Sequence, residues 1–182
     1  MKKKIMILSL IVVCLSLCIG GTLAYFTATD TARNVITAGS IEIELNERDA
    51  EGNPFEDVSG VVPGTAVDKI VTVTNTAANE CWVRIRVEKD IELEQGKTGT
   101  PDLSLLKIDL NTADWTEKDG FYYYNKKLNP GDTTIPLFTA VSFDASMDNL
   151  YAGGTARVAV TAQAVQAANN GGTVLEAAGW PV

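Results

Sequence analysis

Alternation of apolar and polar residues at every second position is the feature that most constrains the fold of this chain. Residues 41–45 (Ile-Glu-Ile-Glu-Leu) and 71–74 (Val-Thr-Val-Thr) follow this period, which is typical of half-buried strands. A third run places Cys81, Val83 and Ile85 on one face of a strand. No segment of a dozen residues shows the 3.6-residue period of an amphipathic helix. The pattern therefore predicts a chain built from strands.

Turn residues separate these runs. Pro63-Gly64 and Pro130-Gly131 each fit the centre of a type II turn, whose second central residue needs a positive φ. Asp119-Gly120 lies between Trp115 and the aromatic run 121–124, and this arrangement predicts a tight β-hairpin.

A long strand is predicted near the end of the chain, with Val158, Val160, Ala162 and Ala164 facing inward. Together the runs amount to about seven or eight strands separated by turn signals. We therefore expect an all-β fold, an antiparallel two-sheet sandwich of jelly-roll or immunoglobulin-like topology. The alternation pattern alone leaves both topologies open.

The start of the chain predicts a secretory signal peptide. Three lysines at 2–4 precede an uncharged apolar run at 5–19, and two glycines then break any helix. Thr22 and Ala24 place small residues three before and one before a cut between Ala24 and Tyr25. The apolar run is shorter than the ~20 residues that cross a bilayer, so an uncleaved anchor is the second alternative. We expect a secreted protein, located in the extracellular matrix or at the cell surface.

The charge balance and the missing histidine limit the function classes. The chain has 15 Lys+Arg against 23 Asp+Glu and a net charge of -8. Loss of the three leader lysines leaves 12 against 23, a net charge of -11. Such acidity argues against nucleic acid as a partner. The absence of histidine excludes Ser-His-Asp and Cys-His catalytic groupings and histidine-ligated zinc. No enzymatic activity, metal site or cofactor is therefore predicted.

Short motifs run from the leader into most of the chain. The most specific are residues 21–27, Gly-Thr-Leu-Ala-Tyr-Phe-Thr, and residues 34–43, Asn-Val-Ile-Thr-Ala-Gly-Ser-Ile-Glu-Ile. Further motifs are Val62-Pro63-Gly64, Thr74-Asn75-Thr76, Val83-Arg84-Ile85, Trp115 before 119–124, Leu128 with Pro130-Gly131, and Pro136-Leu137-Phe138. Together they resemble the TasA/camelysin (CalY) family of Gram-positive bacteria.

The resemblance implies a jelly-roll domain that is exported and polymerises into fibres of the biofilm matrix. It also implies a dedicated signal peptidase of the SipW type as a processing partner. In such fibres the N-terminal segment of one subunit acts as a donor strand that completes the sheet of the next subunit. The partner is then a second copy of the chain, joined head to tail, with an accessory fibre protein as a further candidate.

A donor segment is available at residues 25–38, which contain neither proline nor glycine. The candidate self-assembly residues are Tyr25, Phe26, Thr27, Thr29, Thr31, Val35, Ile36 and Thr37. Gly39 is the candidate hinge, because glycine adopts backbone conformations closed to other residues. The alternative is that this segment pairs within its own sheet or frays. The predicted organisation is a signal peptide at 1–24, the donor segment at 25–38 and a β-sandwich domain at 39–182.

Two other functions remain open beside the fibre subunit. One is a monomeric accessory binding module at the surface of the cell or spore. The weaker one is a metallo-endopeptidase, the activity described for camelysin-type members, to which no residue of this chain is assigned. A catalytic zinc without any histidine ligand is rare among known sites.

An acidic loop offers oxygen ligands for a weak calcium site. Its oxygen-bearing residues are Glu47, Asp49, Glu51, Asn53, Glu56 and Asp57. The glycine arrives two residues too early for an EF-hand loop. A solvated loop is the favoured interpretation.

The aromatic residues divide between two strand faces. Residues 121 and 123 face one way and residues 122 and 124 the other, so we expect core packing plus cross-strand contacts. Trp82 and Arg84 share the outward face of their strand and form a candidate cation–π pair. Cys81, the one cysteine left after leader cleavage, should pack as a small hydrophobe.

Overall fold

The computed structural model describes residues 36–37, 41–55 and 62–181, which form ten strands and two short 3₁₀ helices. The strands are β1 (Ile36–Thr37), β2 (Ile43–Arg48), β3 (Ala66–Asp68), β4 (Ile70–Asn75), β5 (Cys81–Glu92), β6 (Leu106–Ile108), β7 (Trp115–Lys118), β8 (Phe121–Tyr124), β9 (Ala140–Phe143) and β10 (Thr155–Gln166). The 3₁₀ helices are Leu103–Leu105 and Val174–Glu176. The all-β prediction is confirmed. None of the helices described here is long and apolar enough to cross a membrane.

A five-stranded sheet forms one layer, in the order β1-β10-β5-β8-β7. Its centre is the antiparallel pair of β5 and β10, which runs from Cys81 opposite Gln166 to Glu92 opposite Thr155. Both strands carry β-branched residues, which suit a pleated surface. The short strand β1 pairs with β10 in parallel, which is an exception to the antiparallel arrangement that we predicted.

The β7–β8 hairpin confirms the turn that the sequence predicts. Trp115 pairs with Tyr124 and Lys118 pairs with Phe121, so two residues connect the strands. Asp119 has φ 53° and Gly120 has φ 76°, and positive φ at both central positions is the signature of a type I′ turn. This turn has the twist that adjacent antiparallel strands need.

The second layer joins a two-stranded and a three-stranded sheet, β2-β4 and β3-β9-β6. The segment before β9 connects them, because Phe138 accepts from the Val71 N–H at 3.1 Å and Thr134 donates its N–H to Val73 at 2.9 Å. The predicted type II turns lead into this layer. Gly64 and Gly131 have φ 81° and 79°, as the second central position requires.

One hydrophobic core, here called the inner core, lies between the layers. Its buried members include Ile41, Ile43, Val71, Val73, Cys81, Val83, Ile85, Leu106, Trp115, Tyr124, Leu137, Phe138, Val141, Phe143, Ala162 and Ala164. The half-buried residues Val158 and Val160 pack against it, which confirms the predicted inward face of β10. Two layers around one core match the predicted sandwich, whereas the jelly-roll topology stays a prediction.

Candidate functional site

The edge of the five-stranded sheet at β10 is the candidate functional site. Its inner neighbour β5 pairs along the whole length of β10. On the opposite edge, Ile36 pairs with Gln163 and Thr37 with Ala164, both in parallel. Ile36 and Thr37, near the end of the predicted donor segment, therefore pair within the sheet of their own chain, which is the alternative that the sequence left open for this segment.

Most of the other predicted site residues lie outside the described residues. These are the cleavage residues Thr22, Ala24 and Tyr25, the donor residues Phe26, Thr27, Thr29, Thr31 and Val35, and the hinge Gly39. Their roles stay predictions. Of the eight donor residues, the structure brings Ile36 and Thr37 to the sheet.

Strand β10 has two halves that differ in burial. Residues 155–161 are exposed or half-buried, whereas residues 162–165 are buried. No described strand pairs with residues 155–162 on the edge opposite β5. Strand β1 thus meets β10 where β10 is buried, and eight further positions form an edge that a longer strand could extend along.

A lysine from the second layer contacts strand β10. Lys69 is only 6% exposed, and its Nζ donates to the Val158 carbonyl oxygen at 3.2 Å. The same ammonium pairs with the Glu47 carboxylate at 3.2 Å and lies 4.4 Å from the centre of the Phe55 ring. These contacts compensate the burial of the charge, because a buried ammonium needs paired and hydrogen-bonded partners.

A second group of hydrophobic residues, here called the outer cluster, covers the other face of the same sheet. Its members are Trp82, Tyr123, Val165, Ala167 and Val174, all buried, with Phe121, Ala177 and Trp180 packed against them. The C-terminal segment, residues 167–181, supplies four of these residues. Trp82 is therefore buried at 3% exposure, although its position in the alternation predicts an outward-facing side chain.

Hydrogen bonds fasten the C-terminal segment to the sheet. The indole Nε1 of Trp82 donates to the Asn170 carbonyl oxygen at 2.9 Å. The Asn170 side chain donates to Gln166 and Ala178 and accepts from the Ala178 N–H at 2.8 Å. The segment is thus tied to the sheet near its beginning, and the Asn170 side chain links that point to Ala178 within the segment.

Arg84 lies at the centre of the outer cluster. Its Nε donates to the Gln163 side-chain oxygen at 2.7 Å, and its two terminal nitrogens donate to the Tyr123 hydroxyl at 3.2 Å and the Pro181 carbonyl at 3.0 Å. Its guanidinium carbon lies 3.8 Å from the Phe121 ring centre and 4.7 Å from that of Trp180.

The predicted cation–π pair between Trp82 and Arg84 is wrong. Trp82 and Arg84 share a face, but residues two apart are separated by about 6.6 Å along a strand, farther than neighbours across strands at about 4.5–5.5 Å, so the guanidinium reaches rings from other parts of the chain. Arg84 stacks on Phe121 and Trp180, and the cation near the Trp82 ring is Lys127, at 5.7 Å. The expected alternation of the aromatic run is confirmed: Tyr124 joins the inner core and Tyr123 the outer cluster.

Sequence reasoning missed Gln163 and Trp180 as parts of this site. Gln163 is buried at 6% exposure in a strand of small and apolar residues. A polar residue inside such a run is a signal that could have found it, because buried amides need hydrogen-bond partners. No sequence signal connects Trp180 with Arg84, which lies almost a hundred positions earlier.

Two carboxylates of the acidic loop, those of Asp49 and Glu47, have partners where the loop is described. The Asn53 side chain donates to Asp49 and, with backbone hydrogen bonds, holds the pKa of that carboxyl below its usual value. Glu47 pairs with Lys69. Glu56 and Asp57 lie outside the described residues, so the calcium site stays untested.

Cys81 packs in the inner core, as its position on the apolar face predicts. It is 0% exposed, and burial raises the pKa of its thiol to about 12. A buried thiol with this pKa is a poor nucleophile and a poor metal ligand, because the thiolate is the reactive form.

A small cleft lies beside the turn at Pro63. Met147, Asp148, Asn149, Tyr151 and Ala152 form its other walls, and its volume is about 190 Å³. Pockets for small-molecule ligands are typically about 300–1,000 Å³. The cleft is smaller than this range, and we assign no ligand to it.

Comparison with known proteins identifies one family. A family model described as Camelysin metallo-endopeptidase matches residues 1–119, about two thirds of the 182-residue chain. The match confirms the resemblance derived from the sequence motifs. No curated protein and no solved structure matches the chain.

The description of this family implies a metal, and the residues of the chain fit one poorly. The sequence has no histidine, and Cys81 is buried in the inner core. Within the described residues, no group of three or more cysteines, aspartates and glutamates is arranged to hold a metal ion. The known catalytic zinc sites, with His₃, His₂Glu or Cys₂His ligands, all include histidine, so the donor set of this chain differs from them.

Proposed function

We propose that the chain, which belongs to the camelysin metallo-endopeptidase family, is a secreted structural subunit of extracellular matrix fibres, as its resemblance to the TasA/camelysin proteins implies. Its subunits join head to tail, and the donor segment (25–38) of one subunit pairs with the β10 edge of the next. The processing partner is a dedicated signal peptidase that cuts between Ala24 and Tyr25. The processed chain is released to the matrix or cell surface.

The observation that carries this proposal is the parallel pairing of Ile36–Thr37 with the edge of β10. An edge that accepts a strand from its own chain offers the same backbone groups to a strand from another copy. Such a contact joins two different surfaces of the molecule. Repeated in one direction, such a contact generates a filament wherever the rotation between neighbouring subunits does not close a ring.

The register of β1 indicates how an incoming donor segment aligns. Ile36 lies opposite Gln163, and parallel strands advance together, so residue 35 comes opposite Ala162 and residue 28 opposite Thr155. The donor segment is thus long enough to extend along the edge of β10 that lacks a described partner. In this register Asp30 comes opposite Arg157, a favourable pairing of opposite charges across strands.

Electron microscopy of two forms of the chain tests the proposal. One form begins at Tyr25 and the other at Gly39, which lacks the donor segment. We expect fibres from the first form and monomers from the second, with β-type circular dichroism from both as the control for folding. Monomers from both forms would reject the fibre subunit and favour the accessory binding module.

Charge reversal tests the register. We expect Asp30→Lys or Arg157→Glu alone to slow fibre growth, because each places like charges opposite one another. The double variant should regain most of the rate. Asp30→Asn is the matched control, since it removes the charge without reversing it. Equal growth of all four variants would reject this register while leaving polymerisation intact.

Assembly should also respond to net charge. Subunits at -11 repel one another near neutral pH, and carboxylates begin to take up protons near pH 4. We expect faster light-scattering growth in mild acid or in raised salt. A rate that is unchanged under both conditions would show that repulsion between subunits does not limit growth.

Secretion has its own test at the cleavage position. A charged bulky residue does not fit the small-residue pocket of a signal peptidase, so Ala24→Arg should leave the protein cell-associated. Ala28→Arg is the control beyond the cut. Normal release of the Ala24→Arg variant would move the cleavage site elsewhere.

The family description favours a metallo-endopeptidase as the second candidate. Incubation of the chain from Tyr25 with an unfolded protein, with added zinc or with a chelator, separates it from the fibre subunit. A fibre subunit grows equally with zinc and with the chelator and cuts nothing. Cleavage that the chelator abolishes would establish the enzyme.

A further inference from the structure

We propose that Arg84, held by the C-terminal segment (167–181), is a positioning residue for the β10 edge that receives the donor strand. This inference rests on the proposed strand addition and identifies the side chains that hold its acceptor in place. It also gives the C-terminal segment a role beyond covering the outer cluster.

Register partners connect the edge with Arg84 in one row across the whole sheet. The row runs through Ile36 of β1, Gln163 of β10, Arg84 of β5, Tyr123 of β8 and Thr116 of β7. Gln163 is therefore the residue between Arg84 and the strand that β10 receives. A displacement of Gln163 changes the backbone position that β1 pairs with.

The Gln163 side chain is buried, so its amide group needs hydrogen-bond partners within the protein. It is 6% exposed, and its amide oxygen accepts from Arg84 Nε at 2.7 Å. A hydrogen bond from a charged donor is stronger and more directional than one between neutral groups. Arg84 therefore holds the side chain of Gln163, and with it this part of β10, in one position.

Arg84 itself is held by contacts with both the C-terminal segment and strand β8. The Pro181 carbonyl and the Tyr123 hydroxyl accept from its terminal nitrogens, and Trp180 and Phe121 stack against it. A planar guanidinium is suited to this arrangement because its donors have fixed directions and its faces stack on aromatic rings. A lysine can supply the charge but neither the fork nor the stacking.

The location of β1 agrees with this role. Its two pairs with β10 fall at residues 163 and 164, inside the buried stretch 162–165. Edge hydrogen bonds are stronger where the surroundings exclude water. The inner core covers one face of this stretch and the outer cluster the other.

A matched pair of substitutions on β5 tests the proposal, Arg84→Lys and Arg86→Lys. Arg86 lies on the same strand and face, and its guanidinium carbon is 5.6 Å from the Phe121 ring centre. Its register partner on β10 is Thr161, outside the two β1 pairs. Both variants keep the charge and lose the planar fork, so they differ in the contacts of Arg84 with Gln163, Tyr123 and the C-terminal segment, which Arg86 does not make.

Hydrogen exchange of the Ile36 and Thr37 amides is the direct readout, measured by NMR on unassembled chain beginning at Tyr25. This form retains every described residue. Successive N–H groups of a strand point to opposite sides, so one of these two amides donates to β10, and we expect about tenfold faster exchange at that amide in Arg84→Lys, from the loss of charged hydrogen bonds, and little change in Arg86→Lys. Amides in the β2–β4 pair report on overall stability, so the positioning role requires a rise at the β1 amide that exceeds the rise in the β2–β4 pair of the same variant.

The outcomes separate this inference from the proposed function. Equal exchange at Ile36 and Thr37 in both variants, or no protection of these amides in the unmodified chain, overturns the positioning role. A selective rise in Arg84→Lys, with no fibres from the unmodified chain, keeps the positioning role and rejects strand addition between subunits. If Arg84→Lys does not fold, Trp180→Ala must show the same selective rise, because it removes one stacking partner near the end of the chain.

Discussion

The inner core and the outer cluster cover opposite faces of the same five-stranded sheet, and they are held in different ways. The inner core consists of apolar side chains from both layers, packed between the five-stranded sheet and the two smaller sheets of the second layer. The outer cluster depends on a single C-terminal segment and on polar anchors, such as the bond from Trp82 to Asn170. The packing of one face of the sheet therefore follows from simple alternation of apolar residues, whereas the packing of the other face requires specific hydrogen-bond partners.

The largest expected effect comes from opening a cavity in the inner core. Leu137 is 0% exposed, so we expect Leu137→Ala to lower the free energy of unfolding by about 2–5 kcal/mol. Leu175→Ala is the matched control in the C-terminal segment, where Leu175 is 39% exposed and the change should stay within about 0.5 kcal/mol. Urea unfolding measures both. Similar losses would show that the C-terminal segment is packed as tightly as the inner core.

A smaller effect is expected when one anchor of the outer cluster is removed. Trp82→Phe keeps an aromatic ring but leaves the Asn170 carbonyl without its indole donor, which should cost about 1–2 kcal/mol. Lys127→Ala, which removes the cation near the same ring, should stay within about 0.5 kcal/mol. Hydrogen exchange should show faster exchange in residues 167–178 of Trp82→Phe alone. Unchanged exchange there would mean that apolar contacts hold the segment without the bond.

The smallest expected effect concerns acid and the second layer. Partial burial raises the pKa of Asp109, but hydrogen bonds from the Thr139 side chain and from the Ala140 and Thr139 backbone lower it more, so the net pKa is below the usual value. The lowered folded-state pKa stabilises the protein above about pH 4, the unfolded value, and this contribution is lost as pH falls through the folded-state pKa.

Asp109→Asn should therefore destabilise the protein at pH 6, by at most about 1 kcal/mol because the side chain is exposed. The difference from the unmodified chain should shrink towards pH 3. Thermal unfolding at both pH values measures it, with the exposed Asp68 on β3 substituted in the same way as a control. A difference that is constant with pH would assign the effect to hydrogen-bond geometry alone.

Much of the inner core could be predicted, because the alternation of apolar and polar residues depends only on neighbouring positions in the chain. Val83 and Ile85 are buried and Arg86 is exposed, as the period of two requires. The Asp119-Gly120 turn is also as predicted, since few residues adopt positive φ at both central positions. These features depend on interactions within a few residues of the chain.

The site was predicted only in part. The donor segment was located from residues 25–38, and its end does lie on a sheet edge. Three features could not be predicted: which sheet edge it is, the parallel direction of β1, and the hydrogen bond from Arg84 to Gln163. They depend on which strands become neighbours, and no local pattern encodes that.

The sequence by itself determined the strand-rich fold, its turns, the inward face of each long strand and the family. It could do so because backbone geometry converts a period of two directly into two faces. Only the tertiary structure decided that Trp82 is buried and that Arg84 connects the C-terminal segment to β10. Those contacts join residues 79 and 97 positions apart, so they exist only when folding has brought distant parts of the chain together on the outer face of the sheet.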